Sequence, residues 1–161
     1  MNAGKGLPAT HFQVFRGETE QTVFHVSIGK SYPVFAMALW QSVIIILLLD
    51  DTGKPNWYSI EIFSIVDPKL SDDWYFSTTI ANDHGVQAIW GYEHMTSNPK
   101  HYEAVIERDP EALRVFDEQR RRDSATEESS TLRLEPEGLF VGEQSLEAVI
   151  HVLLDVAMEE R

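Results

Sequence analysis

Seven aliphatic residues in a row, "VIIILLL" from Val43 to Leu49, stop abruptly at "DDTGKPN" and give way to "WYSIEIFSIVD", where apolar and polar residues take turns. The middle segment has the Asp, Gly, Pro and Asn content of a turn. The last places Tyr58, Ile60, Ile62 and Val66 on one side of a period-two pattern. Together they predict a β-hairpin. Its first strand is apolar on both faces and so belongs in the middle of a sheet, with Glu61 of the second strand pointing outward. The β-branched content favours strand over helix.

Read backwards from Leu49, the chain carries no charge as far as Ser31, a run of 19 residues that is close to the length needed to span a bilayer. Pro33 near its start, Gln41 and Ser42 at its middle and the weak flanking charge argue against a membrane helix. The expectation is therefore strands. Upstream, "HFQVF" and "TVFHVSIG" on either side of "GETEQ" read as a second hairpin, and "VFAMALW" as a further strand. Downstream, "DDWYFSTTI" and "GVQAIWGY" flank the turn "ANDHG".

The period changes near residue 98. Asn98–Pro99 and Asp109–Pro110 each set a capping side chain before a proline at the first helical position. Tyr102, Val105 and Ile106 form one apolar stripe, and Leu113 and Phe116 the next. Arg120, Arg121 and Arg122 suit the negative end of the second helix. "DSATEESST" reads as a polar linker, "LRLEPEGLFVG" as a strand pair, and "SLEAVIHVLLDVAMEE" as an amphipathic helix.

The expected fold is α+β: an N-terminal bent antiparallel sheet or small SH3-like barrel, then two short helices, a strand pair and a C-terminal amphipathic helix. A chain of 161 residues fits one domain, with a β-rich part over 8–95 and a helical part over 98–161 that contains the linker near 123–131. The segment "WYSIEIFSIVD" resembles a strand of small bacterial SH3-like barrels, a likeness that implies a fold and no site.

Composition narrows function more than fold. The absence of cysteine removes disulfides, thiol nucleophiles and thiolate zinc sites. "MNAGKGLPATHF" has no apolar core after Lys5, so it does not read as a signal peptide, and a cytoplasmic protein is expected. The net charge is −13, and nine acids against two bases fall after residue 123. Such a surface repels phosphate backbones and anionic lipid, which speaks against nucleic acid and membrane and for a basic protein partner.

There is no glycine-rich phosphate loop, no serine elbow and no His-Glu-x-x-His helix, so a non-enzyme without a cofactor is expected. One cluster stands out, Asp83, His84, Glu93, His94, His101 and Glu103. Its imidazoles and carboxylates suit zinc or acid–base chemistry, with His84, His94 and His101 as the ligands of an alternative metal-dependent enzyme. Their spacing is not that of a local metal motif, and the expectation is that these are exposed polar residues, as are His11, His25 and His151. Among Trp40, Trp57, Trp74 and Trp90, Trp74 is the one expected at a surface. With Asp72, Asp73 and Tyr75 it forms the expected partner-binding site of an immunity-type inhibitor, in which acids steer a basic toxin or enzyme and aromatics anchor it.

Overall fold

In a computed structural model of the chain, which describes residues 9–15, 17–78, 85–125 and 133–136, the aliphatic run Val43–Leu49 is a strand with neighbours on both sides. This strand, β2, lies antiparallel between β1 (Tyr32–Trp40) and β3 (Pro55–Ser59). Beyond β1 come β6 (Val86–Gly91) and the short edge strand β5 (Tyr75–Ser77), giving a five-strand antiparallel order β3-β2-β1-β6-β5. A further strand, β4 (Phe63–Asp67), pairs with β7 (Arg133–Pro136), which also pairs with the start of β1. Among the described strands nothing joins β3 to β5, so the sheet is open and is not closed into a barrel.

Why β2 is apolar on both faces follows from its surroundings. Ile44, Ile46 and Leu48 join one core with Tyr32, Met37, Tyr58 and Phe63, while Ile45 and Leu47 join a second with Phe35, Ile89, Met95 and Phe116. The register of β1 shifts between Val34 and Ala36, and that irregularity lets the consecutive residues Phe35 and Ala36 both reach the second core.

The predicted turn 50–56 is built around the buried Asp50. Its carboxylate accepts hydrogen bonds from the Thr52 amide (2.8 Å), the Asn56 side chain (2.5 Å) and the Tyr58 hydroxyl (2.9 Å). Burial favours the neutral carboxyl, but these bonds hold Asp50 below its ordinary range.

The second strand of the expected hairpin is not continuous. The Ser59 hydroxyl accepts from the Glu61 amide at 3.3 Å and caps a single 3-10 turn, Ile60–Ile62, after which β4 begins. The alternation slips there: Ile65 packs on the first core and Val66 is exposed, opposite to the sequence pattern. Glu61 is drawn inward to His11 rather than left facing outward.

Upstream the difference is larger. "HFQVF" lies in helix α1 (Ala9–Val14) and the residue after it, not in a strand. "TVFHVSIG" keeps its period-two burial, with Phe24 and Val26 inside and Val23 outside, but is not one of the strands of the sheet. Its polar groups go elsewhere: the His25 carbonyl accepts from the Asp51 amide at 2.9 Å, and the Ser27 amide donates to the Tyr32 hydroxyl at 2.7 Å.

The helices cover the second core. The five-residue α2 (Glu93–Ser97) precedes the two expected from the prolines, α3 (Pro99–Glu107) and α4 (Pro110–Ala125). Both caps form as read: the Asn98 side chain accepts from the Lys100 amide at 3.1 Å, and Asp109 from the amides of Glu111 (2.9 Å) and Ala112 (3.1 Å). Tyr102, Val105 and Phe116 are buried, whereas Ile106 points to solvent. Helix α4 continues through Ala125 and so takes the first residues of the expected linker. Of the strand pair expected over 132–142 only β7 is described, and the amphipathic helix expected over 145–160 lies outside the described residues. Among the described residues no helix is long and apolar enough to cross a membrane.

Candidate functional site

Strand β6 ends at Gly91, and the requirement there is space: a Cβ on Gly91 would stand 2.8 Å from the Cβ of Ala36 on the neighbouring strand. This close approach carries the chain directly into Tyr92, which is buried and precedes α2. Opposite lies one face of α4. Between them opens a cleft of about 420 Å³, whose strand side is formed by Asp73 and Tyr75, whose floor holds Tyr92, Glu93 and His94, and whose helix side carries Glu111, Arg114, Glu118 and Arg122.

The cleft brings parts of the two sequence-predicted sites together. Asp73 and Tyr75, from the expected partner surface, share it with His94, from the alternative metal cluster. Asp72 and Asp73 are exposed, and Tyr75 is 53 % exposed. Trp74 is half-buried and packs against the first core, as does Trp90, while Trp40 and Trp57 pack on the second. All four tryptophans are thus packing residues at least in part. Beside Tyr75, Phe76 is exposed and leans on Trp90 with ring centroids 4.9 Å apart.

Behind the cleft the Tyr92 hydroxyl and His101 Nε2 share a hydrogen bond of 2.7 Å, and the His94 ring stands edge-on to His101 at 5.6 Å. Burial, followed by the charge of His94, pushes His101 down to about 4. Burial and then Asp123 push Tyr92 upward, so its hydroxyl stays protonated. Asp123 itself is pushed upward by burial and by the charge of Asp73. Arg114 is already neutralised: it donates to Glu111 at 2.9 and 2.5 Å and pairs with Glu118 one turn on.

His101 therefore departs from the expectation of an exposed helix-start histidine, and His94 meets it. His84 lies outside the described residues. Of the alternative ligands the structure places two near each other, and one of them has its Nε2 engaged by Tyr92. Among the described residues no three His, Asp or Glu side chains gather as a metal-binding group. His11 departs further from the expected solvated histidine: it is only 1 % exposed, with Nε2 at 2.7 Å from Glu18 and Nδ1 at 2.9 Å from Glu61. Its spacing of four from Phe15, on whose ring it stacks at 4.5 Å, is a helical signal present in the sequence.

The molecule is an α+β protein with an open antiparallel sheet and a mixed-charge cleft between the strand edge and α4. No family model, curated protein or solved structure matches the chain.

Proposed function

We propose that the protein is a non-catalytic binding protein that takes a basic protein partner at the cleft and its rim, in the manner of a bacterial immunity protein that neutralises a toxin or enzyme in the cytoplasm. The observation that carries this reading is the composition of the rim once internal pairs are discounted. Glu111 and Glu118 neutralise Arg114, while Asp73 and Glu93 are exposed in the cleft with the ring of Tyr75, and Asp72 is exposed next to Asp73. A negative field raises the encounter rate with a cationic surface, and partly apolar rings slow its departure. The same field, within a net charge of −13, disfavours nucleic acid.

Trp74 contributes by packing against the first core, so Tyr75 is the better probe of anchoring. A tagged chain is used to recover a partner from the native host, and the binding kinetics are then followed in increasing salt. Changing Asp72 and Asp73 to Asn lowers the on-rate and flattens its salt dependence, and Tyr75→Ala raises the off-rate. Binding indifferent to salt and to all three changes contradicts the proposal. Stoichiometric zinc, nickel or manganese lost in His94→Ala would replace it with the metal-dependent alternative.

A further inference from the structure

We propose that helix α1 is a strap latched to the body of the protein by His11, and that opening this latch bares the Trp40 end of the second core. The helix has six residues, too few to persist by itself, so docking is what keeps it helical. Its anchoring side chain is His11. The two carboxylates that hold the ring come from separate places, Glu18 in the segment just after the helix and Glu61 in the 3-10 turn between β3 and β4. The Ser59 hydroxyl donates to the same Glu61 oxygen at 3.3 Å, which holds that carboxylate in position. Below the ring Phe15 is stacked, and Phe15 leans on Trp40 with centroids 5.3 Å apart.

A neutral imidazole has one N–H donor. Two carboxylates within hydrogen-bond distance of the two ring nitrogens are both satisfied only by the imidazolium, which has two. The proton is thus the part of the latch that can be removed. Burial alone would push His11 down, but the hydrogen bonds and charges of Glu18 and Glu61 push it up, to about 9. No other titratable residue lies within α1 itself, and Glu18, from the segment after it, and Glu61, from the 3-10 turn, are carboxylates within hydrogen-bond distance of the ring. The strap is shut at neutral pH and loosens as pH rises through about 9.

Hydrogen–deuterium exchange of the full chain tests this, comparing residues 9–15 with the central strand 43–49. In His11→Ala at pH 7 the 9–15 segment exchanges tenfold faster or more and approaches its unprotected rate, while 43–49 remains protected. After correction for intrinsic rates, the wild type approaches the same behaviour between pH 8 and 10. Glu18→Gln, a milder change on a half-buried side chain, moves that transition to lower pH, and it decides the matter if His11→Ala exchanges throughout. Protection of 9–15 that is indifferent to pH and to Glu18→Gln, or loss of protection in 43–49 in step with 9–15 in Glu18→Gln, overturns the proposal.

Discussion

His11 and His101 are buried almost equally, 1 % and 4 % exposed, and both share hydrogen bonds through a ring nitrogen, yet at neutral pH the first is a cation and the second is neutral. Burial acts on both in the same direction, against the imidazolium. The difference is in the partners. His11 faces two carboxylates, which repay the desolvation of a cation, whereas His101 faces a phenol and a second histidine, which do not. The charge of a buried histidine is therefore set by what surrounds it and not by how deeply it lies. One end of the sheet gains a clamp and the other a neutral, hydrogen-bonded wall behind a cleft.

The largest expected effect separates the two by mutation. His11→Ala leaves Glu18 and Glu61 facing a cavity with no counter-charge and costs about 3–5 kcal/mol, as loss of one partner of a buried ion pair does. His101→Ala orphans the Tyr92 hydroxyl and costs about 1–3 kcal/mol. Urea denaturation at pH 7 checks the order, and equal losses would erase the distinction.

Next in size is the dependence on pH. For His11 the folded value is raised, so its contribution is complete below about 6.5 and is lost as pH rises through about 9. For His101 the folded value is lowered, so its contribution is complete above about 6.5 and falls away as pH drops toward about 4. Each limb has a slope of about 1.4 kcal/mol per pH unit, and their sum places maximum stability near neutrality. His11→Ala removes the alkaline limb and leaves the acid one; the reverse result would contradict the assignment.

Gly91→Ala probes how the His101 side is built. With its Cβ 2.8 Å from that of Ala36, the strands must part, at a cost of about 1–3 kcal/mol, and Tyr92 shifts against His101. The pH at which His101 titrates then moves while that of His11 does not. The smallest effect is a control remote from that strand junction. Gln41 and Ser42 make the tight β1–β2 connection with φ of 47° and 71°, the left-handed region that glycine occupies without penalty. Ser42→Gly stabilises the fold by up to about 1 kcal/mol and leaves both histidines unmoved. A shift in either would show that strain, and not local partners, governs them.

The sequence made the middle of the molecule legible because its signals were local. "VIIILLL" against a polar turn located β2 and β3, and Asn98–Pro99 and Asp109–Pro110 marked the starts of α3 and α4 to the residue. The hairpin expected over 11–29 does not form, for a physical reason. Its apolar positions alternate as in a strand, but a strand needs a partner ladder, and the 22–28 segment instead lays Phe24 and Val26 on the first core while bonding to Asp51 and Tyr32. The break at Ser59 was invisible because its hydroxyl competes with the ladder only once the chain must turn there. In the candidate site the adjacency of Asp72 to Tyr75 is visible in the sequence, but the convergence of Asp73, Tyr75 and His94 on α4, and the clamp around His11, depend on pairs up to 50 residues apart that no local pattern encodes.

The opposed histidines are tested most directly by following the imidazole ring signals of the folded chain by NMR from pH 4 to pH 10. The account predicts that His11 remains protonated until about 9 and that His101 remains neutral down to about 4, with His11→Ala and His101→Ala used to assign the signals. Both rings titrating together near the ordinary value of about 6.5 would contradict it.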